Sequence, residues 1–275
     1  MQHEPKLQSY IIRGGVEGRE RLRLIARIMR PTTLALFEQA GVRDGLSCLD
    51  AGCGGGDVSL ELARLVGPRG RVVGIDLDAV KLAAAGAEAA EERLSNVEFR
   101  KGDILQGDAT QSRSFDLVYA RFLLTHLREP GRAVEQLRDL LAPGGLLIVE
   151  DIDYSGHFIH PPSSAFAAYL DLYRRTGLAR GAHPDIGPRL PSLLEAAGIA
   201  PAEMQVVQPA ELRGEMKLAN AITMEAIAES VLAAALATRA EIDRIVDELY
   251  RLAGDETTVM SFPRIVQAWG RRKRA

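Results

Sequence analysis

Apolar positions in this chain gather into short runs separated by longer stretches of helical period. The strand-like runs fall at 46–50, 71–76, 97–102, 115–120 and 146–151. Between the first three, and again between the last two, the period changes. Over 57–66, Val58, Leu62, Leu65 and Val66 fall near one face, and the Ala-rich 78–94 has Asp78 as its expected N-cap. A third helix is expected over 131–141, stopped by Pro143-Gly144-Gly145. Strands alternating with helices predict an α/β fold, a doubly wound Rossmann-like mostly parallel sheet with crossover helices.

Beyond Asp151 the pattern is less regular. Residues 164–176 read as a helix followed by a Gly/Pro-rich stretch, and 193–198 as a short helix ending at glycine. Runs at 204–207 and 259–269 read as two closing strands, separated by helix formers over 218–252. At the other end, Tyr10, Arg13, Gly14 and Gly15 precede an Arg-rich amphipathic helix over 17–36. The expected division is a helical N-terminal flap over 1–44 and a main domain over 45–275, with helical cover at 155–192 and 212–255 and an insertion before the last strand.

Composition narrows the partners. The 275 residues, 47% hydrophobic, suffice for one substantial core with elaborations. A net charge of -3 spread over 26% charged residues gives no basic field, so a nucleic-acid partner is not expected. The basic run Arg271-Arg272-Lys273-Arg274 reads as a solvated tail. With no long apolar run and no charged-then-apolar start, neither a membrane span nor a signal peptide is expected, and the location expected is cytoplasmic. Cys48 and Cys53 are the only cysteines, which suits neither a disulfide framework nor a zinc site.

The run from Leu49 through Asp50-Ala51-Gly52-Cys53-Gly54-Gly55-Gly56 to Asp57 carries the chemistry. It closes an apolar strand with a carboxylate, turns on glycines and opens a helix, so a ligand there meets bare backbone. Dinucleotides and S-adenosylmethionine both use such a turn, and charge separates them. The dinucleotide fingerprint would need a glycine at Asp57, and a pyrophosphate would meet Asp57, expected to cap the helix, as well as Asp50. A donor carrying an ammonium and a sulfonium is suited by a site walled by Asp50.

These residues resemble class I S-adenosylmethionine-dependent methyltransferases, in the broad group that includes quinone-biosynthesis C-methyltransferases and many natural-product enzymes. The resemblance runs over about 46–151, with a weaker echo in 259–270. It implies a helper role for each strand end. Asp50, Gly52, Cys53 and Gly54 would surround the donor; Asp76, followed by Leu77, would accept both ribose hydroxyls; Asp103 would accept from the adenine amine with Ile104 on the ring. Outside the stretch of resemblance, the segment from Tyr10 to Gly15 reads either as a flap over the cofactor, ordered by Tyr10 and Arg13, or as the lead-in to a helix packed on the sheet edge. Ala120 and Arg121, in the run 115–122 that precedes Leu123-Leu124-Thr125-His126, would face the methyl group. No Asn/Asp-Pro-Pro-Tyr/Phe motif and no acidic triad with asparagine occurs, so a nucleic-acid amine acceptor and a metal are not expected.

The expected function is methyl transfer to an O, N or C atom of a small molecule. The alternatives are an NAD(P)-dependent oxidoreductase and a donor-binding subunit without transfer activity. Positioning can supply most of the rate, so the candidate base is the least legible part. His126 follows the fourth strand; His157, with Asp151 and Asp153 before it, follows the fifth, where ligands bind outside strand carboxyl ends. His157, Asp151 and His126 are the candidate catalytic residues, and Arg13 and Arg121 candidate partners for an anionic acceptor. The excursion over 218–252 is either a cover on the substrate side or the arm of a homodimer.

Overall fold

In the computed structural model, residues 15–106 and 114–274 are described; Tyr10 and Arg13 lie outside them. The first part of the chain forms α1 (Gly15–Ala40), β1 (Ser47–Ala51), α2 (Asp57–Val66), β2 (Arg71–Asp76), α3 (Ala79–Glu91), β3 (Val97–Lys101), β4 (Phe115–Arg121), α4 (Pro130–Asp139) and β5 (Leu141–Asp153). The second part adds β6 (Ile159–His160), α5 (Ser164–Ala179), α6 (Leu190–Ala196), β7 (Glu203–Val207) and β8 (Ala210–Glu211). It closes with α7 (Leu218–Ala233), α8 (Arg239–Gly254), β9 (Val259–Ser261) and β10 (Arg264–Arg271).

Seven strands form one sheet in the order β3-β2-β1-β4-β5-β10-β7. The pairs from β3 through β5 are parallel, and β10 runs antiparallel to both β5 and β7. Helices cover both faces, so both sides of an inner strand are buried: Leu117, Val118, Tyr119 and Ala120 of β4 are all fully buried. Strand order reverses between β1 and β4, which makes their carboxyl ends the place for a ligand. This is the doubly wound, mostly parallel sheet that the alternation of periods predicts.

Local chemistry sets the helix starts. Asp78 caps α3 as expected, accepting from the backbone N–H groups of Val80 and Lys81. Asp57 does not cap α2. Gly56 occupies the cap with φ of 82°, and Asp57 sits in the first turn, where its charge still suits the helix dipole. The expected strand over 259–269 is two strands, because Pro263 offers no N–H and breaks the ladder. β9 then joins β6 and β8 in a small second sheet, while β10 enters the main one.

α1 belongs to two cores. Its Leu24, Ile25 and Met29 pack with Phe166 and Tyr169 of α5 and Met224 and Ile227 of α7. Beyond Pro31, which leaves one helical carbonyl without its N–H donor, Leu36, Phe37 and Ala40 pack with α2 and the sheet. Thr33 fixes this second half, donating to the buried carboxylate of Glu150 at 2.9 Å. Glu150 also accepts from Gln267 at 2.5 Å and from the Tyr119 hydroxyl. Among the described residues no helix is long and apolar enough to cross a membrane.

Candidate active site

The chain leaves β1 through a turn held against β2. Gly52 and Cys53 both donate their N–H groups to the Ile75 carbonyl, at 2.8 and 3.0 Å. Gly52 and Gly54 are left-handed, with φ of 71° and 56°. A Cβ on Gly52 would stand 3.0 Å from Leu123, and one on Gly54 3.4 Å from Leu22 of α1. Gly56 serves packing instead: a Cβ there would lie 2.6 Å from Ala85 and 2.8 Å from Phe99.

Asp76 ends β2 beside this turn. One carboxylate oxygen accepts from Gly54 N–H and the other from Asp78 N–H, each at 2.9 Å. A carboxylate has about four lone-pair sites, so each oxygen keeps capacity for a further donor. Leu77 is exposed next to it. Asp50 lies under the turn rather than on its surface: it is buried, accepts from the Ser59 hydroxyl at 2.6 Å, and burial pushes its pKa up to about 6. A cation above the turn would hold it ionised.

Asp103 closes the loop after β3, accepting from Leu105 N–H at 2.9 Å and Gln106 Nε2 at 3.1 Å. Ile104 and Ala120 are both buried in the sheet's helix-covered core. Ala120 therefore presents its backbone, not its side chain, to the strand ends. Arg121 turns away into a cleft of about 330 Å³ between α1 and α2, near Asp57 and Thr33. Burial alone would lower its pKa, but Tyr119, Glu150, Asp50 and Asp57 outweigh that and raise it.

On the other side of β4 the backbone is strained. Phe122 takes φ of 53°, a conformation non-glycine residues rarely adopt and which clusters at functional sites. A single 3₁₀ turn, Leu124–His126, follows it. Asp151 fixes that turn by accepting Thr125 N–H at 3.0 Å, with its other oxygen on Ile152 N–H at 2.9 Å. Burial raises the Asp151 pKa to about 7.

The strained residue and the turn open onto a cavity of about 50 Å³. Phe122, Thr125 and His126 form one wall, and Tyr154, Tyr169 and Tyr173 another. Tyr154 stacks on Tyr173 at 3.9 Å and contacts the Tyr169 hydroxyl at 3.3 Å. Arg21, Leu22 and Ile25 of α1 and Asn220 and Thr223 of α7 complete it. Burial first, then the positive charges of Arg21 and Lys81, hold the His126 pKa down at about 3, so its imidazole is neutral near pH 7.

His157 does not line this cavity. Its ring packs edge-on against Phe166 and Tyr154, at 4.9 and 5.5 Å. Its Nε2–H donates to the Ser261 carbonyl at 2.8 Å, and burial lowers its pKa to about 4. Asp151 bonds the backbone N–H groups of Thr125 and Ile152, and among the described residues no hydrogen bond joins it to His157. Asp153 is likewise engaged, with Ser155 and with the Arg264 guanidinium. The tyrosine wall went unread in the sequence, although Tyr169 and Tyr173, four apart on one helix face, carry a signal for it.

Comparison with known proteins agrees with this geometry. A family model described as a methyltransferase domain matches residues 43–182. Trans-aconitate 2-methyltransferase of Deinococcus radiodurans is 35% identical over 144 residues, covering 51% of this chain and 52% of that protein. Ubiquinone biosynthesis O-methyltransferase of Acinetobacter baumannii is 31% identical over 147 residues, covering 53% and 58%. The chain thus spans about half the length of these curated relatives. A putative methyltransferase from Bacillus halodurans shares the fold with a TM-score of 0.59 at 20% identity, covering 87% of this chain and 98% of that one. A Haemonchus contortus N-methyltransferase solved with S-adenosylhomocysteine does so with a TM-score of 0.56 at 17% identity, covering 89% and 53%. With half its length matched by the family model and its sheet in the class I order, the chain belongs to the methyltransferase domain family.

Proposed function

We propose that this chain transfers a methyl group from S-adenosylmethionine to a small-molecule acceptor held in the aromatic cavity. The observation that carries the reading is the cradle itself: a turn free of Cβ atoms at 52 and 54, backed by the Asp50 and Asp76 carboxylates and ending within contact of the residue after Phe122. The Cβ positions it lacks and the negative charge it holds fit a cationic adenosyl ligand and oppose a pyrophosphate.

Gly52, Cys53 and Gly54 would hold the amino-acid end of the donor. Asp76 and Leu77 would hold its ribose, and Asp103 and Ile104 its adenine. The backbone of Ala120 and Arg121 would lie nearest the sulfur. Bound there, the donor supplies a methyl on a sulfonium, which leaves readily. This chain's task is then alignment, which can contribute about 7 to 11 kcal/mol. The cavity wall is suited to it, because strain at Phe122 and the Asp151 clamp fix the turn that bears His126.

His126 is the proton acceptor the geometry favours, a neutral imidazole on the cavity wall, and Asp151 is its positioning residue. His157 is a packing residue of the tyrosine cluster. A space of about 50 Å³ is well below the roughly 300–1,000 Å³ of ligand pockets, so the cavity widens when an acceptor enters. Calorimetry tests the reading: S-adenosylhomocysteine should bind in the micromolar range and NAD should not. Transfer of a labelled methyl group to an acceptor then separates an enzyme from a donor-binding subunit.

A further inference from the structure

We infer that the acceptor carries a carboxylate or similar planar oxyanion, and that Arg21 selects it; the inference rests on the methyltransferase reading above. The arginines along the first half of α1 behave in two ways. Arg23 pairs with Glu88, Arg27 with Glu215 and Arg30 with Glu61. Arg21 has no carboxylate partner among the described residues. Its Nε donates to the Thr223 hydroxyl at 3.3 Å, and among the described residues it is the only cation on the wall of the aromatic cavity, which there carries no Asp or Glu.

A half-buried guanidinium on the wall of a tyrosine-lined cavity, with a neutral hydroxyl as partner, retains its planar donor fork for an anion. Asn220 stands one helical turn from Thr223 on the same wall, is buried, and its amide nitrogen makes no hydrogen bond. Arg21 and Asn220 therefore give the cavity two donors. Neutral His126 lines it too, and the flat Tyr154–Tyr173 stack offers a surface for a planar body. A cationic amine would meet Arg21 and be repelled.

The test uses the full chain saturated with S-adenosylhomocysteine. Benzoate, 4-hydroxybenzoate, 3,4-dihydroxybenzoate and 1-hydroxy-2-naphthoate are titrated by calorimetry, each beside its own carboxamide, with dopamine as the cation. At least one acid should bind about tenfold or more tighter than its amide, as expected for a charge-assisted pair. Arg21→Gln should bring that ratio to about one with S-adenosylhomocysteine affinity unchanged, and Arg21→Lys should keep part of it. Equal binding of acid and amide, binding of no acid, preference for dopamine, or a ratio untouched by Arg21→Gln overturns the inference. Failure of S-adenosylhomocysteine to bind overturns instead the reading beneath it.

Discussion

Replacing Asp76 with alanine strikes the proposed donor cradle at a side chain that holds the turn and, in the proposed function, the ribose. In the folded chain its two oxygens take the Gly54 and Asp78 N–H groups at 2.9 Å each. Two ribose hydroxyls would use its remaining lone pairs. Hydrogen bonds to a charged group contribute about 1.5–3 kcal/mol each, and Asp76 is only partly buried, so the lower figure applies. Losing two such bonds to the donor costs about 3 kcal/mol, which at about 1.4 kcal/mol per decade is roughly a hundredfold in affinity. The Gly54 and Asp78 N–H groups lie near solvent, so the fold itself should lose only about 1 kcal/mol. Calorimetry with S-adenosylhomocysteine measures the first effect and urea denaturation the second. An alanine variant that folds and binds within threefold of the parent would refute the placement of the ribose on Asp76.

Further consequences can be measured on the same protein. Gly56→Ala forces a Cβ to 2.6 Å from Ala85 in a left-handed backbone, so denaturation should show a loss of about 1–3 kcal/mol or more; an unchanged midpoint would contradict the packing role. His126→Ala should lower kcat by about 10²- to 10⁴-fold with donor affinity unchanged, and equal turnover would remove it as proton acceptor. Because its pKa is about 3, parent turnover should show no acid limb near pH 6.5 from this imidazole. The Asp151 pKa is raised from 3.8 to about 7, so the native state binds the extra proton between those values and parent stability falls as pH rises through them. Asp151→Asn removes that dependence, and the parent's stability relative to the variant should shrink from pH 5 to pH 8; a constant difference in denaturation experiments would contradict it.

The sheet was legible because its strands are continuous apolar runs and its crossovers carry helical period, signals that depend on burial alone. The glycine turn was legible for a related reason, since positive φ and close approach both demand the same residue. The cap of α2 was not: Asp57 has the right chemistry one position too late, and only the left-handed φ of Gly56 reveals it. The surroundings of His157 were not legible, because a place after a strand's carboxyl end says nothing about which way a ring points; here the ring packs on its aromatic neighbours. The cavity draws on α1, the turn after β4, β5, α5, α7 and the Phe262-Pro263 link before β10, residues as far apart in sequence as Arg21 and Pro263, so no local pattern could assemble it. Asp103 shows an intermediate case, with the strand-end position expected and both oxygens already engaged in the loop.

The division of α1 at Pro31 sorts its contacts. Downstream of it, Thr33 is bonded to Glu150 in the sheet; upstream, Leu22 stands against Gly54 while its neighbour Arg21 walls the aromatic cavity. One stretch of helix thus borders the glycine turn and the tyrosine-lined space together, so a substitution that shifts its backbone is felt at both.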